Sequence, residues 1–150
     1  GAMIERPLLP GLDEESGRFF EHCAAGELRI QACADCGVRR MPPRPRCDHC
    51  GSFEQRWDLM SGRGTVWSHV TAHPPLLPAY SEQAPYNVVL VELDDDPTIR
   101  VVGNVVESAD ARLDSVDPHT ITIGMPLRVV FPEPLDDGEG PVVLPRWVPA

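Results

Sequence analysis

Four cysteines carry the clearest chemistry in this chain. They stand as Cys33-Ala34-Asp35-Cys36-Gly37 and Cys47-Asp48-His49-Cys50-Gly51, two C-x-x-C-G turns with ten residues between the pairs. Each turn presents two sulfurs, and the glycine behind it permits the positive φ that aims backbone N–H groups at sulfur. Two such turns facing each other set four thiolates in a tetrahedron, which suits Zn²⁺ at about 2.3 Å per bond. Four sulfur ligands close the coordination sphere, so the expected zinc is structural, with no position open for water or substrate. Iron uses the same four ligands, and C-x-x-C pairs also run dithiol exchange, although two matched knuckles exceed what a redox motif needs. His49, inside the second turn, is a candidate replacement ligand where four sulfurs already suffice.

The other reactive side chains are less specific. Cys23 reads either as a buried residue on a helix face or as a nucleophile. His69 and His73 lie on or just past a strand and could serve as a base, but no acid motif stands beside them. No G-x-S-x-G, H-E-x-x-H, P-loop or G-x-G-x-x-G occurs. Trp67, Tyr86, Phe131 and Trp147 could stack on bases or pack in a core. Arg39, Arg40, Arg44 and Arg46 fall within eight residues without an acid among them. They either offset the negative charge of a zinc tetrathiolate or grip phosphate, whose oxygens match the guanidinium fork. Pro42, Pro43 and Pro45 stiffen that loop, which lowers the ordering cost of binding.

These residues need elements to hold them. Gly1-Ala2-Met3 reads as an expression remnant, and residues 4–11 as an extended arm. The run Asp13-Glu14-Glu15 to Gly26 predicts a helix over 13–25, with Asp13 as N-cap, acids in the first turn and Gly26 as the stop. It must dock, because a helix this short is unstable alone. Leu28, Ile30 and Ala32 alternate with Glu27, Arg29 and Gln31, predicting a half-buried strand that runs into the first knuckle. A short strand over 54–59 leaves the second, and Ser61-Gly62-Arg63-Gly64 marks a boundary. Strands follow over 65–71, with Val66 and Val70 opposite Trp67 and His69, then over 86–93, 98–107, 127–131 and 142–148. Residues 74–85 read as a Pro-rich loop, Asp94-Asp95-Asp96-Pro97 as a turn, and Gly103 as a bulge or bend. Five strands without a long helix predict a small closed or nearly closed antiparallel barrel. The chain therefore divides into an arm and helix over 4–26, a ribbon over 27–60 and a barrel over 61–150.

Charge separates these parts. All 13 basic residues are arginine, and the formal charge is -10. Nine arginines meet ten acids up to residue 64, whereas four meet thirteen beyond it. An acidic barrel repels nucleic acid and anionic membrane surfaces. Cysteines clustered in the first third argue for a metal in a reducing compartment, and no signal peptide or membrane span is visible, so a cytoplasmic protein is expected.

The order of these motifs is itself informative. Phe19-Phe20, Gly26-Glu27-Leu28-Arg29, Cys33-x-x-Cys36-Gly37, Pro42-Pro43-Arg44-Pro45-x-Cys47-x-x-Cys50-Gly51 and Ser61-Gly62-Arg63-Gly64-Thr65-Val66 appear in series. Pro85-Tyr86, Val91-Glu92-Leu93, Ile123-Gly124-Met125-Pro126-Leu127 and Val129-Val130-Phe131 continue it. The series resembles a family of acyl-CoA-associated proteins long grouped as the thirty-fifth domain of unknown function. That resemblance implies a mainly β chain with an N-terminal helix, a rubredoxin-like zinc ribbon and a five-stranded OB-fold barrel. It further implies a non-catalytic accessory subunit that binds or channels acyl-CoA and docks on a thiolase-like enzyme. Such partners include acyltransferases and lipid-transfer-type aldolases of steroid and lipid degradation. Cys33, Cys36, Cys47 and Cys50 match the family's ribbon ligands, and Arg44 matches its Pro-Pro-Arg element; no catalytic residue transfers. Because CoA is anionic, Arg39, Arg40, Arg44 and Arg46, and not the barrel, are expected to face its phosphates. Two rival readings remain: a stand-alone acyl-CoA enzyme with His69 or His73 as base, and a single-strand nucleic-acid binder using the OB face.

Overall fold

The computed structural model describes residues 14–73, 83–136 and 141–150. The predicted arm at 4–11, the N-cap Asp13 and most of the loop at 74–85 lie outside these residues. Helix α1 (Glu14–Ala24) ends on Gly26 at φ 76°, with Glu27 N–H bonded to the His22 carbonyl at 3.0 Å and Gly26 N–H to that of Cys23 at 2.9 Å. These two bonds satisfy carbonyls that the helix end would otherwise orphan. Phe19 and Cys23 form its buried face.

Strands β1 (Arg29–Cys33) and β2 (Gln55–Leu59) pair antiparallel from Arg29 opposite Leu59 to Cys33 opposite Gln55. The two knuckles sit in the long connection between them. A five-stranded sheet follows, formed by β3 (Arg63–Ala72), β4 (Tyr86–Leu93), β5 (Arg100–Gly103), β6 (Pro126–Val130) and β9 (Arg146–Pro149), in spatial order β5-β4-β3-β6-β9. A small hairpin, β7 (Leu135–Asp136) with β8 (Pro141–Val142), stands apart from that sheet.

All ladders in the sheet are antiparallel, but its closing seam is not. Val105 bridges Trp147 in parallel, with Trp147 N–H on the Asn104 carbonyl at 3.0 Å and Val106 N–H on the Trp147 carbonyl at 2.8 Å. The seam joins the two edges, so neither strand presents an unpaired edge there. Asn87 makes this possible. Fully buried on β4, it accepts from Val105 N–H at 2.6 Å and donates to the Val105 carbonyl at 2.8 Å. Its side chain thus replaces a strand partner where the chain has turned away toward β9.

Several expected strands are shorter or differently placed. The predicted strand over 98–107 pairs with β4 only as Arg100–Gly103, because the following residues change partner. The predicted strand over 142–148 is interrupted, and its two ends belong to β8 and β9. Gly103 is no bulge: a Cβ there would lie 2.7 Å from Cδ1 of the buried Trp147 ring, so the residue is small to let the indole close the barrel. The bulge falls instead between Val66 and Ser68 on β3. One inserted residue inverts the alternation beyond it. Val66 is buried, but Val70 is 64% exposed, and His69 is the residue registered with inward-facing Val89.

One continuous core joins α1, β1 and the barrel, running from Phe19, Leu28 and Ile30 through Met60 and Val66 to Val91 and Trp147. We expect Asn87→Leu to destabilise the chain by roughly 2–4 kcal/mol, since it orphans a buried N–H and a buried carbonyl on residue 105. Urea unfolding checks this, and a loss below about 1 kcal/mol would contradict the strand-replacement role.

Candidate metal centre and cationic crevice

Cys33 ends β1, and its N–H bonds to the Val38 carbonyl at 2.9 Å, turning the chain back on itself. Cys47 makes the same bond to Ser52 at 2.8 Å. Gly37 N–H reaches the Cys33 carbonyl at 2.9 Å and Gly51 N–H that of Cys47 at 2.8 Å, so the turns are matched. Both glycines hold positive φ, 79° and 80°, which a side chain would strain.

The four sulfurs converge within 4.8 Å of one another, with Cys33 Sγ 3.5 Å from Cys50 Sγ and Cys36 Sγ 3.6 Å from Cys47 Sγ. A tetrahedral zinc at about 2.3 Å per bond has edges of about 3.8 Å, so the donor set fits the ion as it stands. The N–H of Cys36, 3.4 Å from Cys33 Sγ, is the main cause that brings Cys33 down to about 6. Cys47 is lowered in the same way by the backbone at Cys50. A bound dication would deprotonate all four. His49 is exposed and lies outside the sulfur cluster. Cys23 is buried on α1, and burial pushes its thiol up to about 12, which makes it a packing residue without nucleophilic character at neutral pH.

The four arginines near the knuckles have different roles. Arg39 bonds Asp58 on β2 at 2.9 Å and Asp96, in the turn between β4 and β5, at 3.2 Å. It therefore ties the ribbon to the barrel. Burial works to raise both carboxyls, yet hydrogen bonds outweigh it, from Arg56 and Arg39 at Asp58 and from Thr98 and Arg39 at Asp96, and both end below their ordinary range. Lowered values mean the contribution is present above the usual carboxylate range and fades as pH falls through it. The neighbouring Asp95 accepts from Ser61 N–H at 3.0 Å, a second tie across the same joint.

Arg40 is only 7% exposed, and its Nε and Nη2 both donate to the Arg44 carbonyl, at 3.1 and 2.8 Å. Arg44 reaches Asp48 at 2.7 Å on the surface, and Arg46 donates to the Gly51 carbonyl at 3.2 Å. Gln31, expected on a solvent face, is fully buried. It donates to the Arg44 carbonyl at 2.8 Å and accepts from Arg44 N–H at 2.7 Å, while also bonding Gln55. The proline-arginine loop covers the second face of β1, and Gln31 clamps it there. Period-two alternation assumes one wet face, so nothing in the pattern could reveal this residue or Asn87. Arg39, Arg40 and Arg44 line a crevice of about 400 Å³ that Thr98 and Ile99 close from the barrel side.

His69 is half-buried on β3 and His73 is exposed just past its end; neither side chain hydrogen-bonds to another described residue. Trp67 lies under Arg100, whose guanidinium carbon is 3.9 Å from the ring centroid. Tyr86 and Trp147 are buried, Trp147 completely, and Phe131 packs against the core.

A four-thiolate ribbon placed before a five-stranded barrel defines the architectural class: a rubredoxin-like zinc ribbon joined to an OB-fold. The family model "ChsH2, rubredoxin-like zinc ribbon domain" matches residues 20–54, and "ChsH2, C-terminal OB-fold domain" matches residues 57–132. The chain belongs to the ChsH2 family, and its four cysteines stand close enough together to hold the structural zinc of such a ribbon. It is 39% identical over 120 residues to a probable enoyl-CoA hydratase alpha subunit of Thermomonospora curvata, covering 79% of this chain and 33% of the relative. It is 27% identical over 113 residues to a DUF35 domain-containing scaffold protein of Methanocaldococcus jannaschii, covering 74% of this chain and 72% of that one. The chain thus spans about a third of the hydratase subunit's length and most of the scaffold protein's. Among solved structures, a chain of the Ltp2-ChsH2(DUF35) aldolase superposes with TM-score 0.75 at 35% identity, covering 94% of this chain and 98% of that one. A DUF35 protein from Sulfolobus solfataricus shares the fold at TM-score 0.55 and 12% identity. No described helix is long and apolar enough to cross a membrane.

Metal analysis of the purified chain should return one zinc per molecule, and chelation should abolish amide-exchange protection across β1, β2 and the knuckles. Cys47→Ser should weaken zinc binding by an order of magnitude or more. Retained protection after stripping would contradict a structural ion. At the joint, a double-mutant cycle of Arg39→Ala with Asp96→Asn should give a coupling of about 1 kcal/mol at neutral pH; additive effects would remove the clamp.

Proposed function

We propose that this chain is a non-catalytic accessory subunit of a thiolase-like enzyme, an acyltransferase or a lipid-transfer-type aldolase of steroid or lipid degradation, and that it helps hold the acyl-CoA. The observation that carries this reading is the nearly full-length likeness, at 35% identity, to a chain of the Ltp2-ChsH2(DUF35) aldolase. The scaffold relatives support a role in assembly. A relative in Mycobacterium tuberculosis, 34% identical over 122 residues, is a 3-oxo-4,17-pregnadiene-20-carboxyl-CoA hydratase alpha subunit, which favours a steroidal or similarly bulky acyl-CoA. We take the working parts to be the arm and helix over 4–26, the ribbon over 27–60 and the barrel over 61–150, acting in the cytoplasm.

Within this reading the ribbon stays rigid around its zinc and the arginine loop faces the CoA phosphates. The barrel, with its acidic excess, faces protein. Among the described residues no side-chain partner stands by His69 to make it a base, and the acidic second half disfavours a nucleic-acid strand on the OB face.

Co-expression with a thiolase-like or lipid-transfer-type enzyme should yield a complex that elutes together at fixed stoichiometry, with the partner's turnover rising at least tenfold over the partner alone. Cys47→Ser should abolish the rise. Independent elution, together with acyl-CoA turnover by this chain alone that is lost in His69→Ala, would replace this reading with the stand-alone enzyme.

A further inference from the structure

Three hollows of this chain follow one another through shared lining residues, and their chemistry changes along the line. At the ribbon end lies the crevice of about 400 Å³ lined by Arg40, Met41 and Arg44. Met41 also lines a groove of about 590 Å³, whose walls are mostly apolar: Phe19 and Phe20 on α1, Pro42 on the loop, and Leu90 and Val102 on the sheet. Val102, Gly103, Asn104 and Leu144 then connect that groove to a third hollow of about 450 Å³. We propose that these hollows form one binding path for a CoA thioester carrying a large apolar acyl group, with phosphate at the arginine crevice and the acyl chain over the outer face of β4 and β5. This rests on the acyl-CoA part of the function proposed above and assigns the residues that would carry it.

The cationic end is argued from what each arginine lacks. Arg39 is spent on Asp58 and Asp96. Arg40 is more than nine-tenths buried, and its Nη1 finds no hydrogen-bond partner among the described residues. A buried guanidinium with an orphan N–H is costly, and an anion entering the crevice would supply the missing acceptor. Among the described residues the Arg44 guanidinium is paired only with exposed Asp48, a weak tie that a phosphate can replace. The anion pair is therefore Arg40 and Arg44, with Arg39 reserved for the joint.

The apolar end is argued from exposure and register. Val102 is 66% exposed on a strand face and stands opposite half-buried Leu90. Phe19 and Phe20 meet edge-to-face at 5.2 Å between centroids and close the groove from the helix side. Its volume lies within the usual range for small-molecule sites. Because the groove continues a cationic crevice, the occupant it fits is amphipathic and anionic, which a protein strand on the same face would not need to be.

Titration calorimetry on the zinc-loaded full chain tests this with CoA and octanoyl-CoA. We expect octanoyl-CoA to bind at least about tenfold more tightly than CoA, from burial of the acyl chain. Val102→Glu, at an exposed position, should erase that advantage without changing the CoA affinity. Arg44→Ala should weaken both ligands about equally, by roughly fivefold. If Val102→Glu keeps the full advantage, the groove assignment fails while the accessory-subunit reading stands. If it leaves octanoyl-CoA affinity intact but prevents co-elution with the partner enzyme, the face is a protein interface. If neither ligand binds the wild-type chain, the path and the acyl-CoA part of the function fall together.

Discussion

From Ala34 to Glu54 the chain buries only Arg40, Pro43 and Cys47. A segment of that length with so little apolar burial cannot offset its own conformational entropy. Its shape must come from cross-links, and the four sulfurs are the cross-links available. The ribbon is pinned at its tip by the metal and at its base by the core, where Met60 N–H meets the Leu28 carbonyl at 2.8 Å. Two strands alone would be marginal in water, so each end depends on the other being fixed. The arginine loop runs between the knuckles, and its position is therefore a consequence of the ion. Gln31 and Arg40 then set it finely, both by holding the Arg44 backbone.

The second constraint is the joint. Asp95 and Asp96, in the turn between β4 and β5, reach Ser61 and Arg39 respectively. Thr98 bonds the same Asp96 carboxylate and so braces that turn from the barrel side. Helix α1 packs where the two parts meet, contributing Phe19 and Cys23 to a core that also contains Ile30 and Val101. These contacts matter to the proposed ligand path because the crevice and the groove draw their walls from the ribbon, the helix and the barrel together. Were the ribbon to swing on a flexible link, Met41 could not serve both hollows.

Much of this was legible from residue types. The C-x-x-C-G turns, the Gly26 stop and the apolar run at 86–93 each specify one local geometry. What stayed hidden depended on a second surface. Gln31 looks solvent-facing because alternation assumes that only one face of a ribbon is covered, whereas the proline-arginine loop covers the other. Val70 looks inward until the bulge at Trp67 inverts the strand. Gly103 looks like a bend, yet its size answers to Trp147, more than forty residues away in sequence. Asn87 looks like an interruption in a hydrophobic strand, and only the barrel's parallel seam explains it. In each case the missing information was non-local packing, which no window along the chain contains.

The distribution of charge then gives the molecule a direction. The ribbon half is nearly neutral, whereas the barrel half carries most of the net -10. An anionic ligand approaching this chain meets repulsion over most of its surface and relief near Arg40 and Arg44. Long-range charge of this kind contributes orientation and encounter rate more than affinity. Affinity has to come from burial, and the largely apolar groove begins at Met41, where the cationic crevice stops. In the proposed path, the order of the motifs in sequence, arginines between the two zinc knuckles and barrel strands after them, becomes an order in space, with the charged end of a ligand met at the loop and its apolar end at the sheet.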